Sequence, residues 1–155
     1  MLQLKSLAKV TAPTQSSHLF ALTTDDPFPN QVIDNSGALV VECINVLSGA
    51  RFAHLGDEIV CVVKRARPVP TATSGPKGTQ AAPKVKKGEV HRALIVRTRK
   101  ENRRLDGTFV RFDDNAVVML NKQGQPLGNR VMGVIAAECR QKRWAKIVSM
   151  APKVV

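Results

Sequence analysis

Apolar residues recur along this chain in short runs that turn-forming residues separate. Five runs are rich in Val, Ile and Leu, which is the composition of strands that are half buried or fully buried. They span residues 38–47, 59–63, 89–96, 108–112 and 116–120. Short strands at this spacing, with turns between them, predict a small β-barrel.

The hydrophobic period changes after Gly133. Residues 134–140 and 142–150 have the spacing of two short helices, and Pro152 would end the second one. The predicted fold class is therefore mainly β, a small barrel with short C-terminal α-helices. At 155 residues, the chain is most simply a single domain, 1–155, with one core.

Two turns are specified by their residue types. The sequence DNSG at 34–37 combines side chains that bond nearby backbone amides with a glycine that tolerates positive φ. Asp106-Gly107 follows the basic run 97–104, and Asp-Gly is a strong hairpin signal. We therefore expect these cations on a connection that a sheet holds in place; a solvated basic loop without a partner is the alternative.

Two segments do not have the pattern of core elements. Residues 7–30 are uneven and end in the Pro-containing sequence TTDDPFPN, so they are expected to be an irregular insertion. Residues 68–83 contain four prolines and two glycines and predict an extended loop insertion. No stretch approaches the roughly 20 apolar residues of a membrane-spanning helix.

The positive charge is large and concentrated. The chain carries a net charge of +12, and residues 64–104 hold thirteen basic and two acidic residues. Such a patch favours a polyanionic partner. An anionic membrane would favour a basic amphipathic helix, whereas these charges fall on predicted strands and loops. Nucleic acid is the preferred interpretation.

Among nucleic acids, folded RNA fits best. Nothing in the chain resembles a recognition helix for the DNA major groove, and basic loops on a barrel suit RNA that is recognised by shape and backbone. Aromatic residues make up 4% of the chain, which argues against a sequence-reading platform for single strands. Cations of the charged window are candidates for RNA contact, among them Lys64, Lys84 and Lys100.

No catalytic, metal or cofactor motif is present in the sequence. The three cysteines are widely spaced without a CxxC pair, and Cys43 and Cys61 lie in apolar runs, where small buried hydrophobes are expected. His54 has no second ligand at metal-binding spacing and is interpreted as a polar loop residue. The pair Asp113-Asp114 is explained by turn formation. We therefore expect neither an enzyme nor a bound metal or cofactor.

Seven stretches, in order along the chain, carry a family resemblance. They are VIDNSGA (32–38), HLGDEIVCVVKRARP (54–68), VKKGEVHRALIVRTR (85–99), RRLDGTFVRFDDNAVVMLN (103–121), QPLGNRVMG (125–133), ECR (138–140) and WAKIVSMAPKVV (144–155). Together they span about four-fifths of the chain and resemble the universal large-subunit ribosomal protein fourteen family. Each stretch is weak by itself, but their shared order and spacing make the resemblance specific.

The resemblance implies a five-stranded β-barrel with C-terminal helices that binds large-subunit ribosomal RNA. It implies contacts with ribosomal proteins three and nineteen, bridges to small-subunit ribosomal RNA and docking of a ribosome silencing factor. Seven cations match basic family positions, and the resemblance makes them candidates for RNA contact: Lys86, Lys87, Arg97, Arg99, Arg103, Arg104 and Arg111. Arg130 and Lys146 match the pair associated with factor docking, and Asn129 stands where bacterial members often have Thr.

The two insertions distinguish this chain from bacterial members, which it resembles in its core. They fit a mitochondrial ribosome of fungal type and a location in the mitochondrial matrix; a plastid or the bacterial cytoplasm is the alternative. Two other functions remain open at this point. One is an RNA-binding barrel that acts outside the ribosome, and the other is a protein-docking module whose charge serves solubility.

Overall fold

The computed structural model describes residues 30–68 and 85–155. The predicted insertion 7–30, apart from its last residue, and the loop 68–83, apart from its first, lie outside the described residues, as does Lys84. From the N-terminal to the C-terminal end, the described elements are β1 (Asn30–Val32), β2 (Ala38–Val46), β3 (Glu58–Ala66), β4 (Val90–Arg97), β5 (Asn102–Arg103), β6 (Phe109–Val110), β7 (Ala116–Leu120), β8 (Val134–Ile135), α1 (Glu138–Gln141), α2 (Ala145–Met150) and β9 (Lys153–Val154).

Five of these strands form a closed barrel in the order β1-β2-β3-β4-β7. Neighbouring strands are antiparallel except at the closure, where β1 runs parallel to β7 and places Gln31 opposite Ala116. Closure removes the unpaired sheet edges that would otherwise offer backbone groups to another chain. The closed barrel can therefore present side chains on a fixed frame.

The barrel interior holds one of two apolar clusters. Strands β2 and β3 alternate, with Val41, Ile59 and Val63 turned inward and fully or almost fully buried. Ile95 of β4 and Met119 of β7 fill the same interior. This period of two is the pattern of a strand with one buried face.

The second cluster lies on the outside of the barrel wall, beneath the C-terminal segment. Leu94 of β4 and Val118 of β7 point away from the interior and pack with Ile135 and with Ile147 of α2. Strands β4 and β7 are thus covered on both sides, which explains why 93–96 and 116–120 are uninterrupted apolar runs. The C-terminal segment is part of the core and not an appendage to it.

The DNSG turn connects β1 to the rest of the barrel. The Asp34 side chain is buried and accepts hydrogen bonds from the backbone N–H of Ser36 at 3.0 Å and of Met119 at 2.9 Å. Burial raises the pKa of Asp34, although these hydrogen bonds act against the shift. Gly37 has φ +103°, a conformation that favours glycine. The turn was predicted from its residue types, and its link to β7 was not.

The predicted barrel of five strands with short C-terminal helices is confirmed, with two corrections. Residues 108–112 contribute only Phe109–Val110, which pair with Asn102–Arg103 outside the barrel, and β1 takes the fifth barrel position. Residues 134–137 are not helical, because Val134–Ile135 pair in parallel with Lys153–Val154. Both errors have the same origin, since a short apolar run does not show which partner strand it will find.

Candidate nucleic-acid interface

The basic connection after β4 forms a small hairpin that stands outside the barrel. In its two-stranded sheet, Asn102 lies opposite Val110 and Arg103 lies opposite Phe109. Side chains on a strand alternate between faces, so Asn102 and Val110 share one face while Arg103 and Phe109 share the other. Val110 is buried against the barrel interior cluster, whereas Arg103 and Phe109 are exposed. The hairpin therefore has a face toward the body and a face toward solvent.

Charged groups attach the inner face to the C-terminal segment. Arg104 donates from Nε to Glu138 Oε1 at 2.8 Å and from Nη2 to the Val155 carbonyl oxygen at 2.7 Å. Asn102 donates to the same Glu138 oxygen at 3.3 Å. Burial alone would raise the pKa of Glu138, but hydrogen bonds from Arg104 and Asn102, together with the positive charge, lower it on balance. We call the group formed by Asn102, Arg104, Glu138 and Val155 the tether.

The outer face combines two cations and one aromatic ring. Arg103 and Phe109 are cross-strand neighbours, and Arg111 lies two residues beyond Phe109, just past the end of β6. All three side chains are exposed. Within residues 30–68 and 85–155, no ion pair joins Arg103 or Arg111 to a carboxylate. We call Arg103, Phe109 and Arg111 the outer face.

Arg97 is positioned differently from the outer-face cations. Its side chain is 18% exposed, and Nη1 donates to both carboxylate oxygens of Asp114 at 3.2 and 3.3 Å. Nη2 donates to the Met132 carbonyl oxygen at 3.3 Å, and Nε is buried without a hydrogen-bond partner in the described part of the chain. Gly133 packs against this guanidinium, where an added Cβ would lie 2.9 Å from Nη2. Arg97 thus joins β4 to the turns at 113–115 and 132–133.

The remaining predicted cations lie on other parts of the barrel surface. Lys86 and Lys87 are exposed in the turn that leads into β4, and the Glu89 carboxylate accepts a hydrogen bond from the Lys86 backbone N–H at 3.1 Å.

Lys64 pairs with Glu42 across β2 and β3, and Lys100 pairs with Glu101 at 2.5 Å. Arg99 is exposed, and its backbone N–H donates to Asn115 Oδ1 at 2.8 Å. The predicted set therefore spreads over several surfaces and is not a single cluster.

The three residues predicted for factor docking lie near one another at the C-terminal segment. Asn129 and Arg130 are exposed and precede Val131, which is buried in the same cluster as Ile147 of α2. The Val131 N–H lies 3.5 Å from the carbonyl oxygen of Met150, so this loop lies beside the C-terminal end of α2. Lys146 is exposed next to Ile147. The three side chains can thus be presented on the outside of this cluster.

Three features of the site were not predicted from the sequence. Glu138, which holds the hairpin, lies in the matching stretch ECR but was given no role of its own; an isolated acid in a basic, apolar segment was the available signal. The inward placement of Arg97 and Arg104 was also missed, because their residue type gives no indication of which face they occupy. Phe109 was interpreted as part of an apolar strand, yet its side chain is 65% exposed.

Thiol and metal chemistry find no support in the described residues. Burial raises the pKa of Cys61 and of Cys139 to about 12, and it raises that of Cys43 as well. These thiols are therefore protonated at neutral pH and poor nucleophiles. In residues 30–68 and 85–155, no group of three or more His, Cys, Asp or Glu side chains is arranged to hold a metal ion. None of the described helices is long and apolar enough to cross a membrane.

In the described residues, a closed β-barrel carries a small hairpin that exposes cations on its outer face. Comparison with known proteins identifies the class of protein to which it belongs. The family described as "Ribosomal protein L14p/L23e" matches residues 29–155. Two fungal relatives are each called "Large ribosomal subunit protein uL14m". The Schizosaccharomyces pombe protein is 53% identical over 125 residues, which cover 81% of this chain and 94% of the relative. The Neurospora crassa protein is 50% identical over 120 residues, covering 77% and 90%.

The chain belongs to the ribosomal protein L14p/L23e family, and it is a mitochondrial member of fungal type. Members of this family are ribosomal structural proteins, which confirms the expectation of a protein that is not an enzyme. The resemblance drawn from the seven sequence stretches is confirmed, as is the mitochondrial assignment that rested on the two insertions.

Proposed function

We propose that this protein is a structural constituent of the large subunit of the mitochondrial ribosome, in the matrix, and that it holds large-subunit ribosomal RNA through its basic surfaces. The observation that carries the RNA contact is the outer face of the hairpin. Its two guanidinium groups are exposed and have no carboxylate partner within 4 Å in the described residues, while the tether fixes the hairpin from behind. Cations held in this way can meet phosphates without first breaking internal pairs.

The physical basis of the contact is the replacement of counterions. Each lysine or arginine that meets a phosphate displaces condensed cations from the RNA, so affinity falls steeply with salt. Arginine adds planar, bidentate hydrogen bonds to phosphate. Lys86 and Lys87, exposed beside β4, and Arg99 supply further positive charge on the same frame. The barrel thereby lowers the repulsion between RNA segments that pack against it.

The internally paired cations act mainly on the protein. Arg97 and Arg104 keep their charge but already direct donors to Asp114, Glu138 and backbone carbonyl groups. Arg104 nevertheless retains 28% exposure of its side chain and adds to the field around the hairpin. We therefore place the primary RNA contacts at Arg103 and Arg111.

The double charge reversal R103E R111E tests this proposal. We expect its occupancy in purified large subunits, measured on a sucrose gradient relative to large-subunit RNA, to fall severalfold. R140E is the control, because Arg140 is an exposed cation on α1 and not on the hairpin. Normal occupancy of R103E R111E would contradict the proposed contact, and recovery of the parent only in light fractions would indicate an RNA-binding protein outside the ribosome.

The remaining surfaces are proposed to serve contacts within and between subunits. These contacts are with ribosomal proteins three and nineteen, with small-subunit ribosomal RNA through bridges, and with a ribosome silencing factor. The arrangement of Asn129, Arg130 and Lys146 around the buried Val131 and Ile147 supports the last of these. Two exposed cations on a packed support favour an acidic docking surface on the factor.

The substitution K146E tests factor docking separately from assembly. Since Lys146 is exposed on α2 and makes no ion pair in the described residues, its reversal should leave large-subunit occupancy unchanged. Co-sedimentation of the silencing factor with the subunit should fall at least tenfold, with R140E again as the control. Unchanged co-sedimentation would remove Lys146 from the docking surface.

A further inference from the structure

Phe109 is a large aromatic residue that the fold leaves in solvent. Its side chain is 65% exposed, while its neighbours Val110 and Phe112 supply the apolar contacts with the barrel cluster. Among residues 30–68 and 85–155, the other aromatic side chains, Phe52, Phe112 and Trp144, are half-buried, and only Phe109 is exposed. Packing of the hairpin does not require the Phe109 ring, so the ring is available to contact a ligand.

The surroundings of the ring are cationic. Arg103 is its direct cross-strand neighbour, and residues opposite each other in an antiparallel pair have Cα atoms about 5 Å apart. Arg111, which is also exposed, lies two residues beyond Phe109, just past the end of β6. Of the acidic groups near this hairpin, Glu101 pairs with Lys100 at 2.5 Å, and this hydrogen bond and, to a smaller extent, the positive charge of Arg111 lower the pKa of Glu101. Asp106 accepts hydrogen bonds from Thr108 at 2.7 and 2.9 Å.

The ring is also held in position by its supporting strand. The tether joins Asn102 of β5 and the adjacent Arg104 to Glu138 and Val155 through four hydrogen bonds. Val110 is buried beside Phe109 and fixes β6 against the barrel. A ligand that meets Phe109 therefore finds a preordered surface, which lowers the ordering cost of binding.

We propose that Phe109 is a stacking platform for one unstacked RNA base, with Arg103 and Arg111 binding the phosphates on either side. This inference rests on the proposed RNA-binding function and adds a specific contact to it. A single ring between two guanidinium groups matches the alternation of base and phosphate along a strand. An apolar protein partner would gain less, because desolvating two unpaired guanidinium groups at its interface is costly. The chain thus combines shape recognition of folded RNA with one local stacking contact.

Three substitutions at position 109 separate stacking from simple apolar contact. F109Y keeps an aromatic face, F109L keeps apolar area without a π face, and F109A removes both. L105A is the control, because Leu105 is fully exposed on the same hairpin but is not aromatic. Full-length proteins are titrated with a ten-nucleotide oligo(A), with oligo(U) of equal length and with a ten-base-pair RNA duplex.

We expect F109A and F109L to weaken oligo(A) binding about tenfold, the effect typical of losing one base stack on an aromatic side chain. F109Y and L105A should bind as the parent does. The affinity for oligo(U) should fall less than the affinity for oligo(A), since purines stack more strongly. The affinity for the duplex should not change. Equal affinity of F109L and the parent would overturn stacking in favour of an apolar contact, and equal losses on duplex and single strands would indicate a distorted hairpin.

The same titrations distinguish this inference from the proposal beneath it. If the parent binds RNA and R103E R111E does not, while F109A binds as the parent, only the stacking platform is overturned. If the parent binds none of the RNAs, both the stacking platform and the proposed RNA contact are overturned. Large subunits from cells with F109L as their only copy give a second measurement by acylation of ribosomal RNA 2′-hydroxyl groups. One or two nucleotides should become severalfold more reactive than with F109Y, and an unchanged profile would reject the base contact.

Discussion

The barrel and the hairpin are held in place by different interactions. In the barrel, each strand is placed by backbone pairing and by apolar side chains such as Ile59, Ile95 and Met119, which are fully buried. The hairpin pairs only two residues from each of its strands and is held by the ion pair between Arg104 and Glu138. It leaves Leu105 and Phe109 in solvent.

The difference shows how a small protein can keep stability and binding on separate residues. Burial of apolar surface supplies most of the stabilisation, so the barrel tolerates few changes in volume. The hairpin adds little to the core and is therefore free to present charge and an aromatic ring. Binding residues placed on a rigid support, and not in the core, can be changed without unfolding the protein.

The largest expected effect separates the two regions by stability. I95A should lower the free energy of unfolding by about 2–5 kcal/mol, because it opens a cavity in the barrel interior. L105A on the hairpin should change it by less than about 0.5 kcal/mol, because its side chain is fully exposed. Urea titrations followed by far-ultraviolet circular dichroism measure both. A loss for L105A comparable to that for I95A would show that the hairpin tip belongs to the folded core.

A smaller effect should come from the tether. R104E places two carboxylates together and should cost about 2 kcal/mol, the scale of a lost charged hydrogen bond. The exchange R104E E138R restores opposite charges with the hairpin sequence otherwise unchanged, and we expect it to recover at least half of the stability and of the RNA affinity. Urea titration and RNA titration of the parent, R104E and the exchange provide the measurement.

This result would also decide the role of Arg104. If Arg104 itself held a phosphate, the exchange would place a carboxylate against RNA, so stability would recover while RNA affinity would not. Recovery of both properties identifies Arg104 as a positioning residue for the outer face. The R140E variant serves as a control for general loss of positive charge.

The smallest expected effect is the acid dependence of the tether. The pKa of Glu138 is lowered in the folded state, so this group contributes stability above its unfolded value near 4.5 and loses it as pH falls through the folded pKa. Asp34 acts in the opposite direction, because its raised pKa makes its contribution decline as pH rises from 3.8. Comparing the parent with E138Q cancels the Asp34 contribution.

Between pH 6 and 3 the parent should therefore lose more stability than E138Q, by less than about 1 kcal/mol, as is usual for partly exposed ion pairs. Thermal unfolding at a series of pH values gives the two curves. Parallel curves would mean that protonation of Glu138 does not loosen the hairpin.

Much of the fold was predictable from local patterns. The strands 38–47 and 89–96 agree with Ala38–Val46 and Val90–Arg97 because their long β-branched runs suit no other element. The DNSG turn was predictable because its bonds form within the turn itself, as the hydrogen bond from the Ser36 N–H to Asp34 illustrates. The barrel closure was not, since Asn30–Val32 is too short to reveal its pairing with β7.

The candidate site was predictable in composition but not in geometry. Charge concentrated at 97–104 predicted a nucleic-acid surface in this segment. Arg103 and Arg104 are adjacent and chemically identical, but Arg103 is exposed whereas Arg104 donates hydrogen bonds to Glu138. Whether Arg103 and the other predicted cations contact ribosomal RNA stays a prediction.

The sequence by itself determined the type of fold, the two short turns, the polyanionic partner class and the family, because these depend on residue type and spacing along the chain. Tertiary structure decided which strand closes the barrel, which cations turn inward and why Phe109 stays in solvent. Those outcomes depend on contacts between residues far apart in sequence, such as Arg104 with Glu138 and Asp34 with Met119. Local pattern contains no information about such partners until the chain has closed around its core.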